Sequence, residues 1–329
     1  MRLFRRERKP DSLLSIYFYS LPQAYKPDPH HLETLTQTYF DIYKFLKRFE
    51  TKDPNKADYF FVPIHLAQFQ FENRELGDFF RYLKFYKKGL KKHIIVGIGD
   101  FSQRSRKNHF GTAYKHLYEW LDGFKIIALE ATSDLIDGQD LSYIPANTFV
   151  TREDLNFKAE SKPYLYSFLG TINHHFLPET HARKKLGKMA QYSDSLIAEK
   201  LSLEIRDALP GNTSIPDDYE LVAKNSTFTL CVAGYGKWTY RFFQSIKWDS
   251  IPVLISDDYT PPFNAFIPYH EFMIRIPEKD ILNADKVLRS LSQDEIDKMK
   301  KALRKHKYRF TSGFVHECLT IELLAGLSQ

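Results

Sequence analysis

Cysteine is almost missing from this chain. Cys231 and Cys318 are the whole supply in 329 residues, too few for a disulfide framework, and both are expected as buried thiols in a reducing compartment. Long apolar runs are missing as well: no stretch of 18 apolar residues occurs, so no segment presents itself as a membrane-spanning helix. The start, MRLFRRERKPDS, lacks the apolar stretch of a signal peptide, and a cytoplasmic chain is expected. There is no internal repeat, no low-complexity segment, no G-x-G-x-x-G and no P-loop. The net charge is a modest +6, and no recognised nucleic-acid motif accompanies it.

What is present suits a folded protein of two domains. Hydrophobic residues make up 43% and aromatics 15%, enough to bury real cores at this length. Taken in order, 13–19 reads as a first strand and 32–49 as an amphipathic helix with apolar positions at Leu35, Tyr39, Ile42, Leu46 and Phe49. A turn at Asp53-Pro54 leads into a buried strand expected to stop at Pro63. Residues 74–88 read as a helix, 92–101 as a strand running into a loop, and 125–129 as a further strand. Helix and strand alternate throughout, which predicts parallel sheets. The polar stretch 151–163 is expected to be a linker. A strand at 164–168 then restarts the pattern and ends at Gly170-Thr171, a turn that suits phosphate approach or is simply a turn. His174 and His175 are adjacent and make a poor metal pair. Ser292 and Glu295 form a capping box opening a basic helix.

The chain is organised around 228–263. An apolar strand at 228–232 breaks at Gly234 and Gly236. Helical spacing runs over 238–248, a β-branched strand over 251–255, and an acidic loop follows. A strand, a glycine turn and a helix start make a ready anion site, because free N–H groups and the helix dipole both favour phosphate. Arg241 in the first turn supplies a cation. An ordinary buried βαβ unit is the alternative reading.

This segment resembles the signature of exostosin-type glycosyltransferases (glycosyltransferase family 47), with Cys231, Gly234, Gly236, Trp238, Thr239, Arg241, Pro252, Val253, Asp257, Asp258, Pro262 and Phe263 in matching places. Thr51, Asp53-Pro54, Ala57-Asp58 and the strand ending at Pro63 resemble the family's N-terminal signature. The strand at 92–101, with Asp100 and Phe101 at its end, and the segments 140–147 and 276–280 add further matches. The chain departs from the pattern at Val232, Ala233, Gly99, Gln244 (a glutamate that holds the donor ribose in related transferases) and Asp249 (a glycine in the family).

The resemblance implies an α/β fold of two Rossmann-like domains facing across a cleft, the GT-B architecture. The acceptor-side domain is expected over 1–155, the nucleotide-sugar domain over 156–310, and a helical tail over 311–329 packing back on the first domain. It implies an inverting transferase that moves sugar from a nucleotide-sugar, UDP-linked, to a glycan or lipid-linked saccharide. The donor would be held by Gly170, Thr171, Arg183, Gly234, Tyr235, Gly236, Thr239, Arg241, Gln244, Asp257, Asp258 and Tyr259. Asp100, or else His65, would be the base. No metal or other cofactor is expected, although Asp257-Asp258 invites a divalent-cation reading. Basic runs at 2–9, 82–92 and 298–309 read as solvated helix faces or as contacts to an anionic partner or membrane surface. Two other functions stand beside this one: a catalytically silent partner in a homo- or hetero-oligomer, which the departures would fit, and a nucleic-acid-binding protein.

Overall fold

The computed structural model describes residues 14–28, 33–66, 79–86, 92–98, 123–129, 140–158, 162–173, 179, 181–189, 192–199, 219–234 and 236–327. These fall into two compact units, one within 1–129, 134–147 and 316–329, the other within 148–315.

The first unit is built on a parallel sheet of β1 (Ile16–Phe18), β2 (Glu50–Thr51), β3 (Tyr59–His65), β4 (His93–Gly97), β5 (Phe124–Ala128) and β6 (Leu141–Ser142), in the order β2-β1-β3-β4-β5-β6. Every residue of β4 and β5 is buried, as expected of central parallel strands covered on both faces. The long helix α1 (Glu33–Leu46) turns Tyr39, Ile42 and Leu46 inward. Contrary to the expected stop at Pro63, β3 runs on to His65. The register against β4 shifts between Phe61 and His65, an irregularity that lets a residue without an N–H sit inside a sheet. In the described part of the helix expected at 74–88 there is instead a 3-10 turn, Phe79–Tyr82, whose Phe79 and Leu83 enter the core.

The second unit repeats the plan. Its strands β7 (Tyr164–Leu169), β8 (Ser195–Ala198), β9 (Ser226–Val232), β10 (Ile251–Ile255) and β11 (Ile274–Arg275) are parallel in the order β11-β10-β9-β7-β8. The described helices that follow are α2 (Arg152–Asn156), α3 (Ala182–Leu186), α4 (Tyr219–Lys224), α5 (Tyr240–Lys247), α6 (Ala284–Arg289) and α7 (Gln293–His306), then α8 (Ser312–Ala325), whose residues from His316 on group with the first unit. Numbered from each unit's own first strand, the sheets read 2-1-3-4-5-6 and 2-1-3-4-5. In that order the chain reverses direction between the first and third strands, and open sheets bind ligands outside the carboxyl ends at such a switch point. The points are β1/β3 in one unit and β7/β9 in the other.

The segment 151–163 is not a bare linker, and the second unit opens at Thr148 rather than at 156. Thr151 and Asp154 form a capping box on α2, Asp154 meets Lys247 at 3.4 Å, and Val150 N–H donates to Phe310 O. These bonds hold 148–157 to the second unit. At the other end, residues 316–329 group with the first. There Tyr59 Oη donates to Leu323 O at 2.7 Å, and Asp41 bridges His316 Nε2 and Tyr143 Oη, each at 2.9 Å.

α8 carries a carboxyl whose proton is linked to this docking. Burial pushes Glu322 up to about 7, opposed only partly by the charge of Lys125. A raised carboxyl pKa stabilises the folded state while protonated, so stability is greatest below the ordinary carboxylate range and falls as pH rises to about 7. Glu322→Gln is expected to flatten that loss, measured as chemical-denaturation midpoints at pH 5 and pH 8.

Candidate functional site

The carboxyl ends of β7 and β9 bring two arginines to the ring of Phe168. Arg241, in the first turn of α5, is half-buried. Its Nε donates to Leu169 O at 2.6 Å, and its other nitrogens reach Thr239 Oγ1 and Tyr219 Oη at 3.5 and 3.4 Å. The guanidinium lies 4.8 Å over Phe168 and 5.0 Å over Tyr219. Arg183 comes from α3, where His181 Nδ1 accepts the Arg183 N–H at the cap. Its Nη2 donates to Val232 O at 3.2 Å, with the guanidinium 5.9 Å over Phe168.

Gly170 and Gly234 exist to admit these side chains. A Cβ on Gly170 would collide with Arg241 Nη2 and stand 2.8 Å from its Cζ, and one on Gly234 would stand 2.8 Å from Arg183 Nη2. The glycines suit close approach of a ligand, yet here guanidinium groups fill the space, and any ligand meets the arginines rather than bare backbone. Desolvation lowers the Arg241 pKa, opposed by Tyr219 and Cys231, yet a guanidinium stays charged. Among the described residues no carboxylate pairs with Arg241. A partly desolvated cation held by a carbonyl, hydroxyls and rings is a site for an anion.

Thr171 and Thr239 flank the pair. Thr239 is the N-cap residue of α5, though its hydroxyl makes no capping bond, and the first N–H groups of a helix have no partner within it. Gly236 is buried and Gly234 half-buried. Beyond Gly170 the turn is already tied down: Glu199 Oε1 accepts the N–H groups of Ile172 and Asn173 at 3.1 and 2.8 Å, and Oε2 accepts Asn173 Nδ2 at 3.0 Å. An internal carboxylate occupies that nest and Gly170 N–H is given to Ala198 O at 3.1 Å, so of this turn only Thr171 remains for a phosphate. Two further charges stand at the site, Lys237 and Glu278, with Nζ 3.5 Å from Oε1. Glu199 and Lys237 were missed because nothing in their local pattern marks them. Glu278 was legible only as part of a matching segment.

Other expected residues fall elsewhere. Tyr259 is 1% exposed and packs edge-on to Phe242, a core residue rather than a stacking platform. Asp257 exchanges hydrogen bonds with Glu278, its Oδ1 accepting Glu278 N–H at 2.9 Å and its own N–H donating to Glu278 Oε1 at 3.2 Å, so it fastens a turn; Asp258 beside it is half-buried. Among the described residues no cluster of three His, Cys, Asp or Glu is arranged to hold a metal. Gln244 lines a void of about 10 Å³ with Arg241, Tyr219 and Trp248, one turn along α5 from the strand ends. His65 is wholly buried with its ring edge-on to Tyr39 at 5.4 Å, a structural histidine that cannot take a proton from a surface-bound hydroxyl as it stands. Asp100, Tyr235, His174 and His175 lie outside the described residues. Cys231 is buried as expected, its pKa pushed up to about 12 by that burial.

Asp249, the departure from a family glycine, has φ 58°, the left-handed conformation that favours glycine. Its buried carboxylate accepts Arg304 Nε at 2.8 Å and Lys307 Nζ at 3.0 Å. Much of the basic run at 298–309 is therefore spent internally, with Lys305 and His306 also facing Glu271 at 3.7 and 3.0 Å.

Residues 10–291 match the family model described as the Exostosin GT47 domain. The chain belongs to the exostosin GT47 family. Among curated relatives it is 33% identical over 85 residues to a probable glucuronosyltransferase of Oryza sativa subsp. japonica, covering 26% of this chain and 20% of that protein. It is 32% identical over 85 residues to the probable β-1,4-xylosyltransferase IRX10 of Arabidopsis thaliana, covering 26% and 21%. The matched stretch thus spans about a fifth of each relative. Among solved structures, the GtfA/B complex overlaps 90% of this exostosin-family chain and 61% of its own at 12% identity, with TM-score 0.44. No helix among the described residues is long and apolar enough to cross a membrane.

Proposed function

We propose that this chain is an inverting glycosyltransferase that moves a sugar from a UDP-sugar to a glycan or polysaccharide acceptor. The observation that carries the reading is Arg241: a partly desolvated cation at the β7/β9 switch point, with no carboxylate partner among the described residues. A diphosphate supplies the missing charge. The N-terminus of α5, Gly236 and Thr239 add donors, Gly234 N–H being held by Gly236 O, and Arg183 also lies against Phe168. In the displacement the bond from the anomeric carbon to the β-phosphate oxygen breaks as the acceptor oxygen attacks from the opposite face. The leaving diphosphate gains charge, and a fixed guanidinium stabilises it without reorganising. The acceptor hydroxyl loses its proton to a base, for which Asp100 is the candidate. The positive charge needed at the diphosphate is already present in Arg241 and the helix dipole, so the reading assigns no metal. It places the chain in the cytoplasm, where a peripheral membrane contact would fall to basic residues that are not internally paired.

Titration with UDP followed by turnover of a UDP-sugar panel tests this. Micromolar UDP affinity with release of UDP from one sugar donor supports it; absence of both removes it. Gly170→Ala is expected to weaken UDP binding about tenfold or more, because the added methyl meets the Arg241 guanidinium and a backbone at φ 158° that favours glycine, a strain of about 1–3 kcal/mol. The measurement is the same titration.

The silent-partner reading loses one of its supports. Asp249 adopts a left-handed backbone that favours glycine and serves the fold through Arg304 and Lys307, so it does not signal decay.

A further inference from the structure

The first unit has a switch point of its own, and a cavity of about 460 Å³ opens there, inside the roughly 300–1,000 Å³ range of small-molecule sites. It is lined by the residues that follow β1, Tyr19 to Leu21, by Pro63 of β3, and by one face of α1. Two kinds of side chain dominate the wall. Phe40 and Tyr43 are half-buried and offer ring surface, while the Phe18 ring is taken up by Lys47 over it, Phe61 at 4.9 Å and Tyr43 edge-on at 5.7 Å. Lys26, Lys47 and Lys52 stand against a single acid, Glu50. Lys47 Nζ is fixed 4.5 Å over the Phe18 ring and 2.8 Å from Glu50 Oε1, while Lys52 Nζ reaches the same oxygen at 2.7 Å.

Ring faces flank a sugar's C–H surface, Glu50 accepts hydroxyl protons, and the lysines exceed the acid by two charges. A neutral saccharide has no use for that surplus. We propose that this cavity binds an anionic sugar residue of the acceptor, so that the substrate is an acidic glycan. The inference rests on the reading of the chain as a transferase, and it adds the acceptor's chemical class and the residues that select it. The lysines hold the sugar's anionic group, and Lys47, pinned between ring and carboxylate, is set in place before the ligand arrives.

Isothermal titration of the full chain with a uronic-acid trisaccharide, its carboxyl-reduced neutral counterpart, and the neutral oligomer carrying sulfate provides the test. The acidic trisaccharide is expected to bind about tenfold tighter than the neutral one, a difference that Lys52→Glu or Lys26→Glu abolishes at these exposed positions. UDP affinity should stay unchanged in both variants. Equal gains for sulfate and carboxylate identify charge as the feature read, and a gain for carboxylate alone identifies its planar geometry; either supports the proposal. Equal affinity for acidic and neutral oligomers, no saccharide binding, or a preference that survives both substitutions overturns it. A preference for the acidic oligomer together with no UDP affinity would instead sink the transferase reading and leave a binding site for acidic saccharides.

Discussion

Arg241→Lys is expected to lower kcat/KM for sugar transfer by about two to three orders of magnitude, the loss typical of removing one fixed donor to a developing charge. Lysine keeps the positive charge, so charge alone would predict a mild effect. Three features argue otherwise. Nε is spent on Leu169 O at 2.6 Å, which aims the other two nitrogens. The planar group lies over Phe168 at 4.8 Å and Tyr219 at 5.0 Å, a stacking that an ammonium on a flexible stem does not reproduce. That plane fills the space a Cβ would take at Gly170. Stability should change by only about 1 kcal/mol, the value of one hydrogen bond, so a lost melting transition would signal a folding defect rather than a catalytic one. Steady-state kinetics beside a denaturation curve separates the two.

Asp249→Ala is expected to destabilise the second unit by about 3–5 kcal/mol, the cost of removing one partner from a buried pair. Lys307 is 2% exposed, and with Asp249 gone its ammonium keeps its desolvation cost and loses its counter-charge. Burial already lowers the Lys307 pKa, against the opposing pull of Asp249. Alanine also meets the left-handed backbone at φ 58°, worth about 1 kcal/mol. Asp249→Gly therefore loses the pair without the strain and should be about 1 kcal/mol less harmful. The double variant Asp249→Gly, Lys307→Met should recover most of the loss. Urea midpoints for the three variants check the sequence of effects; a double variant as unstable as the single would refute the pairing account.

Much of this site was readable before the fold was known, for physical reasons. The β-rich run of β9, its two glycines and the helix spacing behind them are local patterns, and they yielded the strand, the turn and Arg241 in the first turn of the helix. The parallel order also followed from alternation. What stayed hidden depends on neighbours distant in sequence. Nothing around Gly170 tells that a guanidinium 71 residues away fills its Cβ space. Glu199 sits at the end of β8, and only the pairing of β8 with β7 brings it to Ile172 and Asn173. Tyr259 and His65 misled because exposure, not residue type, decides whether a ring meets a ligand. Residues 151–163 looked like a linker because α2 is short and polar, and its anchors, Lys247 and Phe310, lie far along the chain.

The central claim is that the carboxyl ends of β7 and β9 grip a pyrophosphate. A crystal structure of the chain grown with UDP tests it most directly. The account predicts pyrophosphate density beside Gly234 and Gly236, within hydrogen-bond distance of Arg241. UDP bound elsewhere with the Arg241 surroundings unchanged, or no nucleotide at saturating concentration, would contradict it.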